Sequence, residues 1–290
     1  MGILLDGILR LDNLLAGKKN LISVVNKHAL LDSKKVIIFA THTSYQLNKG
    51  DLLLFDLAVN YGFQVVVVTN CDSISALMLE PVTWARQNVH HLLRKNRGLD
   101  LAAHRDVLRL LPPGVEELIL INSSVYWDPR KFWNLYLSLS SPGQTPLIWA
   151  ATESLQRGRH FQSFLFFALG SESVDGLKII FNSMKNWRFK RTVINFGERG
   201  IPKIARKSDI EIKALFPYNF VVEQFQAHSK SSPDFADLDH LLQNLVPLNP
   251  TQHFWSELIQ AGAPFLKKNL ISLNPADLKN IPSEIPFQFL

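Results

Sequence analysis

The stretch Leu92–Trp127, LLRKNRGLDLAAHRDVLRLLPPGVEELILINSSVYW, decides how the chain is read. A short apolar strand runs into a charged loop, and a helix follows over Leu99–Leu111. The chain then turns at Pro112-Pro113-Gly114 and ends in a second apolar strand, Leu118–Ile121, that stops on small polar residues. A parallel strand-helix-strand unit returns its second strand beside the first in the same direction, so the residues that follow both strands gather at one sheet edge. Ligands of open α/β sheets bind at that edge. Arg94, Asn96, Gly98, Asp100, Asn122, Ser123 and Ser124 are therefore expected to line a site.

The same rhythm extends in both directions. Val36–Ala40 is an uninterrupted apolar strand followed by Thr41-His42-Thr43, and a helix over Asp51–Tyr61 stops at Gly62. Gln64–Val68 contains a run of valines and empties into Asn70-Cys71-Asp72. Continuous apolar strands of this kind are buried on both faces. Downstream, Pro129–Leu139 reads as a helix with proline in its first turn. Leu147–Ala151 is a strand leading to Glu153, and His160–Gly170 is an aromatic strand with His160, Gln162 and Ser163 at its start. A helix over Ser173–Lys185 and a helical stretch Arg191–Arg206, broken or restarted at Pro202, come next. Lys213–Phe216 suits an edge strand, Gln226–Asp239 a loop or lid, and Thr251–Gln260 and Phe265–Ile271 suit helices. Strands alternating with helices predict an α/β fold: a mostly parallel, Rossmann-like sheet flanked by helices. The division expected is an N-terminal helix and connection at 1–34, the α/β core at 35–225, and a C-terminal loop and helical extension at 226–290 packed on the same domain.

Composition narrows the classes. At 290 residues and 47% apolar content the chain can bury a substantial core. The N-terminal segment lacks the pattern of a signal peptide, because Asp6, Arg10 and Asp12 interrupt its apolar part. The chain is expected to act in the cytoplasm, with the inner membrane face as a peripheral location. Residues 3–16 put Ile3, Leu4, Ile8, Leu11 and Leu15 on one helical face, and the reading taken is a surface helix docked on the domain by that face. Lys18 and Lys19 keep a membrane-surface anchor as the alternative. A single cysteine, Cys71, fits a reducing compartment and reads as a structural thiol. The net charge of +6 points to anionic partners. The basic residues are not interleaved with aromatics as in a nucleic-acid surface, so nucleotide diphosphate or lipid comes first and nucleic acid is not expected.

Several chemistries lack their motifs. There is no G-x-G-x-x-G dinucleotide fingerprint, no Walker-type phosphate loop, no G-x-S-x-G elbow and no zinc spacing. What remains is a set of small polar residues at strand ends, with guanidinium groups close by in sequence. Asn70 and Asp72 suit a nucleobase or ribose, and of Arg94, Lys95, Arg97 and Arg105 one or two are expected to neutralise a diphosphate.

The ordered series RKNRGLD (Arg94–Asp100), LILINSSVY (Leu118–Tyr126), HFQSF (His160–Phe164), FGERG (Phe196–Gly200) and NPTQHFW (Asn249–Trp255) through PFLKK (Pro264–Lys268) resembles the rhamnan synthesis protein F family. The likeness covers roughly residues 35 to 271. It implies an A-type glycosyltransferase fold, a nucleotide-diphosphate sugar donor such as dTDP-rhamnose, and a growing glycan or lipid-linked acceptor of bacterial polysaccharide assembly. Together with the strand-end reading, the donor site is expected at Thr41, Asn70, Asp72, Arg94, Asn96, Gly98, Asp100, Arg105, Asn122, Ser123 and Ser124. Glu198 becomes the candidate base with Glu153 in reserve, and His160 and Gln162 orient the acceptor. The chain departs from the family where Ser123 replaces the aspartate at the end of the fourth strand. Mg²⁺ and Mn²⁺ favour carboxylates over hydroxyls. Either Asp128 substitutes or arginines carry the diphosphate charge; the reading taken is independent of metal.

Overall fold

The computed structural model describes residues 2–24, 33–43, 46–72, 89–139, 146–156, 158–229 and 248–273. Its strands are β1 (Ile22–Val24), β2 (Lys35–His42), β3 (Gln64–Cys71), β4 (Val89–Lys95), β5 (Glu117–Asn122), β6 (Val125–Trp127), β7 (Leu147–Ser154), β8 (His160–Phe161), β9 (Leu165–Leu169), β10 (Glu211–Phe216) and β11 (Phe265–Lys267). The main helices are α1 (Gly2–Leu15), α2 (Lys49–Asn60), α3 (Leu99–Leu108), α4 (Pro129–Ser138) and α5 (Ser171–Asn182).

The expected α/β class holds. The sheet runs β1-β4-β3-β2-β5-β9-β7-β10, with β4, β3, β2 and β5 parallel and in register. Alternation sorts each strand between two cores. Ile37, Phe39, Val65, Val67, Ile119 and Ile121 pack toward α2 and α4, while Val36, Ile38, Val66, Val68, Leu118 and Leu120 pack toward α3 and α5. Each such buried side chain contributes about 1.5–3 kcal/mol relative to exposure, and burial on both faces is what made these strands legible as apolar runs.

Several expectations are corrected. The crossover through α3 does not set β5 beside β4, because β3 and β2 lie between them. β2 leads to β3 and β4 on one side while β5 lies on the other, so the order reverses at the β2/β5 junction. Ligands of open sheets sit at such switch points. The aromatic segment 160–170 is two strands, and β9 runs antiparallel between β5 and β7. Phe265–Lys267 is a strand paired with β6, with a helix starting only at Lys268. The helix expected over Thr251–Gln260 breaks at Phe254. In the 191–206 stretch, wide and tight turns precede a helix over Ile201–Lys207 with Pro202 in its first turn. The lid candidate starts as the end of the helix Tyr218–Ser229, and its residues 230–239 lie outside the described residues.

The docking of α1 differs most. Leu9 and Asp12 are buried while Ile8, Leu11 and Leu15 are exposed. The Asp12 carboxylate accepts from the backbone N–H groups of Arg188 and Phe189, and Asn13 accepts from Trp187 Nε1 at 3.0 Å and from Lys185 Nζ at 2.7 Å. The helix is held by its polar side.

A buried ionic knot fixes α3 under the sheet edge. Asp106 Oδ2 accepts from Arg94 Nε at 3.1 Å and from the Leu21 amide, and Oδ1 accepts from Arg105 Nε at 2.8 Å. All three side chains are fully buried. Removing one partner of such a group strands the other charges away from water. Asp106→Ala is expected to lower the unfolding free energy by about 3–5 kcal/mol, measured by urea denaturation; a loss below about 1 kcal/mol would show the knot to be dispensable.

Candidate functional site

The residues that end β2, β3, β4 and β5 do share one edge, and they fall into two groups. The first is at the β3/β4 end. Asn96 Nδ2 donates to Asp72 Oδ1 at 2.9 Å, and His42 Nε2 stands 3.3 Å from Asp72 Oδ2. Asp72 is exposed there, and Asn96 Oδ1 and Thr41 Oγ1 are buried with no hydrogen-bond partner among the described residues. Unsatisfied buried acceptors call for a ligand or water.

The second group lies below the β2/β5 junction. Asn122, at the end of β5, is nearly buried; its Nδ2 donates to Asp100 Oδ2, and its Oδ1 accepts from the amide and hydroxyl of Ser124. Asp100 stands in the first turn of α3, entered through Gly98 and Leu99, both with positive φ. A Cβ on Gly98 would lie 2.3 Å from the Lys185 carbonyl oxygen, so glycine is required by this close approach. Facing Asp100 is Glu198, whose Oε1 accepts from Ser163 Oγ at 2.6 Å. Lys267 on β11 closes the group: its Nζ donates to Ser124 Oγ at 3.0 Å and lies 4.4 Å from the centroid of the Phe164 ring.

The electrostatics follow from this placement. Burial pushes the Glu198 carboxyl up and the Asp100 charge adds to that, while the Ser163 hydrogen bond, His160 and Lys267 pull it back. Burial brings Lys267 down to about 8, against the opposing pull of Glu198 and Asp100. A carboxyl and an ammonium with pKa values displaced toward each other stand within electrostatic reach of one another, an arrangement suited to acid–base work near neutral pH.

Other candidates have different roles here. Arg94 and Arg105 do not reach the edge, because their guanidinium groups are spent on Asp106, Asn70 Oδ1, Asn186 Oδ1 and the carbonyls of Arg97, Met184 and Lys19. Asn70 also donates to the Thr41 carbonyl, so it ties strand ends together rather than presenting a free amide. Glu153 is hydrogen-bonded on both oxygens, to Arg159 at 2.6 Å and to the Tyr218 amide at 3.3 Å. Asp128 is the N-cap of α4, accepting from the Lys131 amide, and offers no substitute for the missing aspartate. Ser123 is half-buried, and its amide donates to the Ala40 carbonyl. His160 Nδ1 pairs with the Gly158 carbonyl, and Gln162 Nε2 lies 3.4 Å from Asn249 Oδ1. The Cys71 thiol is buried and raised by that burial, as a structural thiol should be.

The donor set does not fit a divalent cation held by the protein alone. Asp100, Glu198, Asp72 and Asp128 are each engaged with a separate partner, and among the described residues no three histidines, cysteines or carboxylates group as ligands. The positive charge of the cleft is instead Lys267. Sequence reading gave Lys267 no role, although the PFLKK motif contains it; the signal was there, but only the β6–β11 pairing carries it to Ser124.

No family model matches the chain. It is 24% identical over 272 residues to the virulence protein VirA of Vibrio anguillarum, spanning 88% of this chain and 84% of that one. Among solved structures it is similar to a glycosyltransferase involved in the glycosylation of the major capsid of PBCV-1, at 14% identity, 68% and 92% coverage, and a TM-score of 0.39. The glycosyltransferase GlyE of Streptococcus pneumoniae gives 11% identity, 81% and 54% coverage, and 0.40, and the inositol-1-phosphate CTP transferase from T. maritima gives 10%, 64%, 86% and 0.36. At these scores the likeness assigns no role to any residue of the cleft.

Ser163→Ala removes the hydrogen bond that favours the ionised form of Glu198. The Glu198 midpoint in a ¹³C carboxyl titration is expected to move upward; an unchanged or lower midpoint would mean that the bond does not tune this group.

Proposed function

We propose that the chain is a glycosyltransferase that moves a sugar, rhamnose or another deoxyhexose, from a nucleotide-diphosphate donor to a growing cell-surface polysaccharide or lipid-linked glycan, with inversion. The observation that carries the reading is the meeting of Glu198 and Lys267 beside the residues that end β5, at the switch point of a mostly parallel sheet. The resemblance of the motif series to the rhamnan synthesis protein F family supports the choice of donor and acceptor.

In this reading the donor's nucleoside lies at the β3/β4 end, against Asp72 and Asn96, whose open acceptor suits a base N–H or ribose hydroxyl. Glu198 takes the proton of the acceptor hydroxyl as that oxygen attacks the anomeric carbon. The bond from that carbon to the diphosphate oxygen breaks, and the Lys267 ammonium stabilises the negative charge on the leaving group. Asp100 and Asn122 hold the floor of the cleft, and His160 borders the acceptor side.

A second reading is a relative that binds nucleotide sugar without turnover in a synthase complex, and Ser123 in place of the family's aspartate favours it. Turnover of a nucleotide-sugar panel headed by dTDP-rhamnose decides between the two. Glu198→Gln is expected to lower the rate by about 10²–10⁴-fold while nucleotide-diphosphate affinity is kept. Stabilisation by dTDP or UDP with no turnover of any donor would favour the binding relative, and an unchanged rate would remove Glu198 as base.

The pH profile carries the signs. Glu198 must lose its proton, so kcat/KM rises with pH through a midpoint above the ordinary glutamate value. Lys267 must keep its proton, so activity falls as pH passes about 8. Lys267→Met is expected to abolish the alkaline limb, and a limb that persists in this variant would assign it elsewhere.

A further inference from the structure

We infer that the outward face of α1 docks this protein on an anionic lipid bilayer. The helix is turned the wrong way round for a soluble surface helix. Its polar residues Asp12 and Asn13 make the contacts with the 185–189 segment, and Leu9 is 4% exposed. Leu11, Leu14 and Leu15 are 55%, 77% and 75% exposed, Leu11 and Leu15 along the rim of a groove whose other wall includes Arg188 and Phe189. Ile8 and Phe189 extend the apolar strip. Burying the apolar side against the domain would be the ordinary way to stabilise such a helix, so a face left out in this way asks for another apolar phase.

Charge selects the occupant. The helix forms a ridge between two grooves of about 650 and 580 Å³. One groove carries Lys95, Arg97 and Arg188 beside Ile8, Leu11 and Leu15. The other carries Arg10, Arg199 and Lys203. The acids present do not balance them: Asp12 is taken up by backbone amides, and Asp6 stands against four cations, of which Arg159 is paired with Glu153. Leucines on a ridge with cations along both flanks match an interfacial helix, whose apolar face enters the acyl boundary while basic groups meet lipid phosphates. A second copy of the chain is a poor occupant, because a two-fold interface would set these cations against themselves.

The inference stands apart from the sugar-transfer reading, since vesicle binding is read without donor or acceptor.

The test is co-sedimentation of the full chain with vesicles of phosphatidylcholine alone or mixed with phosphatidylglycerol. Binding to the mixed vesicles, weakened by salt, is expected. Leu11→Asp with Leu14→Asp is expected to lower the affinity by at least about tenfold. Arg10→Gln and Lys203→Gln, which leave the apolar strip intact and so guard against a misfolded leucine variant, are each expected to cost on the order of fivefold. Equal binding to phosphatidylcholine alone, no binding to the mixed vesicles, or full binding by the leucine variant would overturn the inference. So would self-association in sedimentation velocity that the leucine variant abolishes.

Discussion

The arrangement of this protein depends on one buried carboxylate. Asp106 lies between the guanidinium groups of Arg94 and Arg105, with none of the three side chains reaching water. One negative charge against two positive ones leaves an excess that only oriented dipoles can satisfy. The carbonyls of Arg97, Met184 and Lys19 and the amide oxygens of Asn70 and Asn186 supply them. Those groups belong to the end of β3, the loop before α3, the segment after α5 and the segment after α1. A charge that costs several kcal/mol to leave unpaired thereby sets where four remote pieces of chain meet.

The cleft is a consequence of that meeting. With α3 pinned, its first turn must be entered through the left-handed backbone at Gly98 and Leu99, and Asp100 comes under the end of β5, where Asn122 donates to it. Glu198 arrives from the turns before Ile201–Lys207, and Lys267 from a strand that pairs only with β6. Neither charge is comfortable. Burial raises the carboxyl and lowers the ammonium, and each is partly rescued by the other. Groups held away from their ordinary pKa by mutual placement are the raw material of acid–base chemistry.

The sequence made the sheet easy to read and the site only partly so. The runs Val36–Ala40 and Gln64–Val68 are apolar because both faces of the sheet are covered, and this pattern survives without any tertiary information. Arg94 and Arg105 misled for a physical reason: an arginine near a strand end looks the same in sequence whether it faces a phosphate or a buried aspartate, and Asp106 is adjacent to only one of them. Asp100, Asn122 and Glu198 stood out in the sequence because they close or follow elements, and the structure places them close together. Lys267 and Ser163 were missed as functional residues because their importance lies in an antiparallel pairing and a turn that local pattern does not encode. The α1 face was legible as amphipathic, but which side docks depended on the amides of Arg188 and Phe189, far away in the chain.

The central claim is that ends of distant segments form one ligand cleft at the β2/β5 switch point. Hydrogen–deuterium exchange in the presence and absence of a nucleotide diphosphate tests it most directly. Protection of 96–101, 122–125 and 265–268 together is expected. Protection confined to the grooves beside α1, or no protection at any ligand concentration, would contradict it.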